Sequence, residues 1–217
     1  MTSFRKRLLI LALCSVAVLA AFIFLHELGH SVVALACGAR ITEFSVITAH
    51  MRSEGGYFTA YTGMLLNAGG MLLPYIFGVV WLIFYSGRRR SGVYLTCAFV
   101  YYTASLYSVT PWILIPITYA YGYAPAGDDV TKLLITYSAL GGSPVTVSCA
   151  AALMLVFYLA LLFRKEPVRD FMDYMAGKSV RGDGAEAADG KTDGKTDGKT
   201  DGKTDDDTGD ETDDKNR

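Results

Sequence analysis

The chain has 217 residues, 52% of them hydrophobic, and a formal net charge of −1. That balance hides two unlike parts: residues 1–163 hold nine Lys/Arg and five Asp/Glu, while residues 164–217 hold eleven and sixteen. Such a distribution excludes a pair of globular domains and indicates one apolar membrane domain followed by a polar, acid-rich appendage.

Arg5-Lys6-Arg7 opens the first element, and an apolar run follows that continues to about Cys37. It is far longer than the apolar region of a signal peptide, so it reads as a retained transmembrane helix. Within it lies His26-Glu27-Leu28-Gly29-His30, an HExxH motif. Histidines four apart share one face of a helix, so both rings can reach one Zn²⁺, and Glu27 can take a proton from a metal-bound water. The bland alternative is three packed polar residues. Ionisable groups in hydrocarbon are costly, however, and usually face a cavity, a partner or an ion.

Residues 40–61 read as strand–turn–strand. Thr42, Phe44, Val46, Ile47 and Thr48 are strand formers, Ser53-Glu54-Gly55-Gly56 supplies the turn, and residues 57–62 return. A second span covers about 63–85 and ends at Arg88-Arg89-Arg90. In it, Asn67, Gly69 and Gly70 could allow close approach to the first helix, although plain packing by small residues is the better account of the glycines. The third apolar stretch, 93–123, contains Pro111 and Pro116. It is either a span followed by a re-entrant piece over 112–123 or one long kinked helix.

Asp128 and Asp129 come next, the only acidic residues between Glu54 and Glu166. A helix N-cap over 130–140 accounts for one of them and metal ligation for the other. The fourth span runs over about 145–163 and stops at Arg164-Lys165. Basic residues cluster at the N-terminus, around 88–90 and after 163, so the positive-inside rule puts both chain ends in the cytoplasm and the longer loops outside. The localisation expected is the cell membrane, with HExxH nearer the outer face.

Residues 164–182 form a juxtamembrane amphipathic helix and linker, with Val168, Phe171, Met172 and Met175 at helical spacing. In 183–217 the unit Asp-Gly-Lys-Thr repeats four times before an acidic run, a composition expected to be disordered. Its Gly-Lys-Thr units lack the spacing of a phosphate-binding loop, so no nucleotide is expected, and no nucleic-acid partner. Cys14, Cys37, Cys97 and Cys149 lie in or beside apolar segments without metal spacing and read as buried thiols.

A catalytic zinc takes three protein ligands and leaves a fourth position open. His50, the remaining histidine, falls near the tip of the hairpin, which leaves Asp128 and Asp129 as candidates for the third.

These residues together resemble the site-2 protease family of intramembrane zinc metalloproteases, in its compact peptidase-like branch. The resemblance covers roughly residues 8–140. HELGH stands in the first long helix, Asn67-Ala68-Gly69-Gly70 in the next, and an Asp near the start of a later one. It implies Zn²⁺ held by His26, His30 and Asp129, with Asp128 the alternative, and Glu27 as the catalytic base. The chain has Gly-Asp-Asp-Val where the family commonly has Leu-Asp-Gly-Gly, and the preceding Asn-Pro is absent.

The expected fold is thus an all-α membrane protein: about four transmembrane helices, a small β-hairpin after the first, and a disordered C-terminal tail. The expected function is zinc-dependent endopeptidase action on membrane-spanning or membrane-associated proteins within the lipid bilayer. A non-proteolytic regulatory or assembly protein that keeps the metal site is the alternative.

Overall fold

The computed structural model describes residues 3–86 and 91–178. Arg88-Arg89-Arg90 and the expected tail over 183–217 lie outside the described residues. The elements are α1 (Ser3–Ala36), β1 (Ala39–Ser45), β2 (His50–Gly55), α2 (Ala60–Ile83), α3 (Gly92–Ala120), α4 (Asp129–Ala139), α5 (Pro144–Lys165) and α6 (Pro167–Ala176).

Among the described residues four helices, α1, α2, α3 and α5, are long and apolar enough to cross a membrane. With α4 and α6 too short to do so and one hairpin after α1, the architecture is the mostly helical one expected. α3 settles the ambiguity of the third apolar stretch: it is one helix through Pro111 and Pro116 to Ala120, with no separate re-entrant piece at 112–120.

Lipid tails are as apolar as leucine, so apolarity alone gives these helices no reason to associate; close packing and buried hydrogen bonds must do it. The core formed by α2, α3 and α5 is accordingly rich in tyrosine. Tyr101 donates to the Pro74 carbonyl at 2.8 Å, Tyr75 to the Met154 carbonyl at 2.8 Å, and Ser148 to the Ile113 carbonyl at 2.7 Å. The Tyr75 and Tyr101 rings pack with Leu82, Leu95, Tyr102 and Tyr158.

α1 meets α2 backbone to backbone. A Cβ on Gly29 would lie 2.0 Å from the Gly69 oxygen, and one on Gly69 would lie 2.6 Å from the Gly29 oxygen. Any side chain at either position would push the helices apart. The opposite end of the bundle holds Arg7 and Lys165. There Arg7 donates to the Met175 carbonyl (3.0 Å) and stands over the Tyr174 ring, and Lys165 donates to the Ile83 carbonyl (2.8 Å). Phe171 stacks on Phe99 with centroids 4.0 Å apart, holding α6 against α3.

The hairpin is present, but its turn is not at 53–56. Ala39 pairs with Gly55 and Ser45 with His50, so the chain reverses over 46–49, with a register shift between Ile41 and Glu43. Residues expected to extend the first strand therefore form the turn. The Ser45 hydroxyl accepts from the Thr48 N–H at 3.2 Å, and Ala49 adopts a positive φ of 46°. Gly55 and Gly56, at φ 72° and 78°, instead turn the chain out of β2 toward α2. α2 then starts at a reciprocal cap: Thr62 N–H donates to the Thr59 hydroxyl and Thr59 N–H to the Thr62 hydroxyl.

Candidate metal centre

α1 carries His26 and His30 one turn apart, and their Nε2 atoms stand 3.2 Å from each other. Asp129, in the first turn of α4, brings its Oδ2 to 3.5 Å from His26 Nε2 and 3.1 Å from His30 Nε2. Ligand atoms about 2.0–2.1 Å from a tetrahedral ion are separated by about 3.3 Å along the edges. The three separations are of that size, so the triangle has the dimensions of one face of such a tetrahedron.

Donor chemistry supports the same reading. A backbone carbonyl can only accept, so the 2.7 Å contact between His30 Nδ1 and the Leu66 oxygen fixes the proton on Nδ1. In the neutral ring Nε2 is then a bare lone pair, aimed at a carboxylate oxygen and at the neighbouring imidazole. With the rings neutral, the three converging electron-rich atoms suit a shared cation. A histidine whose second nitrogen is tied to a carbonyl is the usual arrangement around a metal. Among the described residues, His26, His30 and Asp129 are the group of three able to hold one.

α2 makes room for the rings. A Cβ at Gly70 would lie 2.3 Å from His30 Nε2 and 2.7 Å from His26 Nε2, inside the space the donor atoms occupy. Gly70 thus lies against the donor face of both imidazoles, while the Gly29–Gly69 crossing beside it sets the helix spacing. Leu66, one turn earlier on α2, supplies the carbonyl that holds His30.

Glu27 is 5% exposed and lines, together with the three donor residues, a cavity of about 460 Å³. The cavity is bounded by α1, by Leu66 and Asn67 of α2, by Asp128, Asp129 and Lys132 at the start of α4, and by His50 and its neighbours in the hairpin. Burial by itself would raise the Asp129 pKa. When the imidazoles carry a proton on Nε2, their hydrogen bonds to the carboxylate, with the nearby charges of His30 and Lys132, outweigh it and hold the carboxyl below the usual carboxylate range.

The two adjacent aspartates point different ways. Asp128 is the N-cap of α4: its Oδ1 accepts from the Thr131 N–H at 3.0 Å, and its Oδ2 accepts from the Thr131 hydroxyl. Its carboxylate is engaged there and stands outside the donor triangle, although Asp128 lines the cavity. His50 also lies on the wall rather than in the triangle, with Nε2 3.8 Å from Glu43. Asn67 is on the wall, whereas Thr131 is buried against Asp128.

Sequence reasoning overlooked two contributors. Nothing in a sequence marks the Leu66 carbonyl as a partner for His30. Lys132 was legible, since three residues after Asp129 on a helix it shares a face with it. Its Nζ lies 3.2 Å from Asp129 Oδ1.

Residues 14–84 match the model of peptidase family M50, the site-2 protease family of membrane metalloproteases. The matched segment holds His26, Glu27 and His30 with the hairpin and α2, and stops short of α4. No curated protein and no solved structure matches the chain.

Proposed function

We propose, from the premise that residues 14–84 are a peptidase family M50 segment, that this chain is a zinc-dependent endopeptidase acting on membrane-spanning or membrane-associated proteins. The observation that carries the reading is the convergence of His26 Nε2, His30 Nε2 and Asp129 Oδ2 on one point beside Glu27. His26, His30 and Asp129 would hold the ion. When bound, zinc supplies Lewis acidity, making a water nucleophilic at neutral pH and polarising the scissile carbonyl.

The chain's own residues do the rest. Glu27 accepts the proton of the attacking water and returns it to the departing amine. Its place one residue from His26, buried on the cavity wall, suits that shuttle. Leu66 holds the His30 ring in the tautomer that frees Nε2. Asn67, on the wall, is placed to orient a substrate carbonyl. The hairpin is a two-stranded sheet beside the cavity, and its edges can take an extended peptide by strand addition, which exposes the scissile bond.

The orientation is part of the proposal. Arg7 and Lys165 sit at the end of the bundle away from the cavity, which by the positive-inside rule is the cytoplasmic end of a cell-membrane protein. Cleavage then takes place toward the outer face. Glu27→Gln tests the mechanism. Zinc content should stay at the level of the unaltered protein while cleavage of membrane substrates falls about 10²–10⁴-fold, the range for loss of a general base. Unchanged cleavage with zinc still bound would overturn it. An unaltered protein that binds zinc and cleaves nothing would favour the non-proteolytic alternative.

A further inference from the structure

Asp129 uses its two carboxylate oxygens differently. Oδ2 faces the histidines, at 3.1 and 3.5 Å, while Oδ1 lies 3.2 Å from the ammonium of Lys132. A carboxylate with both oxygens free can grip a metal through one or both. Gripping through both raises the coordination number and takes up room that water and the substrate carbonyl need. An ordinary exposed i,i+3 pair would contribute little, and Lys132 is half exposed. This pair is distinguished by where it lies. Lys132 lines the same cavity as the donor atoms, its partner is only 26% exposed, and the oxygen it takes is the one turned away from the histidines.

The start of α4 is built to keep that division. Asp128 is fixed as the cap by Thr131, and Lys132 N–H donates to the Asp128 carbonyl at 3.0 Å, closing the first turn. Asp129 and Lys132 then rise from adjacent turns of a rigid helix on one face. The aspartate needs only one rotamer to meet the histidines and the lysine together.

We infer that Lys132 is a positioning residue that occupies Asp129 Oδ1 and makes Asp129 a one-oxygen ligand, keeping the coordination position next to Glu27 open. The inference rests on the metal-centre reading above. Ligand-orienting partners of this kind are worth about 10–100-fold in metal affinity or activity.

The test uses the full chain in detergent or vesicles, loaded with Zn²⁺ for affinity and with Co²⁺ for its visible spectrum. Lys132→Met should weaken zinc binding about 10–100-fold in chelator competition. It should also weaken the Co²⁺ d–d bands, as a four-coordinate ion becomes five-coordinate. Lys132→Arg keeps a cationic donor and should restore both. Lys132→Met indistinguishable from the unaltered protein in affinity and spectrum would overturn the inference while leaving the zinc centre standing. Failure of the unaltered protein to bind either ion would overturn the metal centre itself.

Discussion

Gly70 stands against the donor atom of His30: a Cβ at that position would lie 2.3 Å from Nε2. The proposed metal site is therefore shaped by the absence of one carbon atom. Small residues in membrane helices commonly serve helix packing, and Gly69 does so against Gly29. Gly70, one residue on, leaves the space in which the two imidazole nitrogens lie.

Gly70→Ala separates these two roles. The methyl group would displace the imidazoles and leave the rest of α2 in contact with its neighbours. Zinc affinity should fall at least about tenfold, in line with other disturbances of ligand orientation, while far-ultraviolet circular dichroism stays that of the unaltered protein. Zinc binding at the original affinity would show that the rings do not need the space.

The neighbouring aspartates should behave differently when truncated. Asp129→Ala removes a donor and should abolish stoichiometric zinc. Asp128→Ala removes an N-cap, costs about 1 kcal/mol of stability, and should leave zinc bound, as should His50→Ala, whose imidazole lies outside the donor triangle. Metal analysis of the purified variants with thermal denaturation reads both effects. Loss of zinc from the Asp128 variant but not the Asp129 variant would reverse the assignment.

Orientation is open to direct test. With single cysteines placed at Thr48 in the hairpin turn and at Lys178 beyond α6, in a background lacking the native four, a membrane-impermeant maleimide should label only Thr48→Cys in intact cells. Labelling of the Lys178 position alone would invert the topology and move the site to the cytoplasmic side.

Length and composition made the four spans readable, because crossing a bilayer demands about 20 apolar residues whatever the tertiary contacts. The two histidines and Glu27 were readable for a related reason: ionisable groups in an apolar helix require a compensating partner. Other features depended on contacts between distant residues. The hairpin turn was misplaced because Gly55-Gly56 carries the stronger local turn signal, yet it directs the exit toward α2, while the reversal uses Ser45 and Thr48. Which aspartate faces the histidines depended on which one Thr131 engages, and two adjacent identical residues carry no sign of that. Gly70 was visible as a small residue, but its purpose appears only when α1 lies across it.

The donor triangle also has a consequence in time. His26 and His30 leave the ribosome early, and Asp129 follows about a hundred residues later. At about 5–20 residues per second, the nascent chain spends on the order of 5–20 s with two ligands and a base but no third ligand. Under the proposed function, biosynthesis itself would supply a delay during which the first helices can be inserted before the donor set is complete.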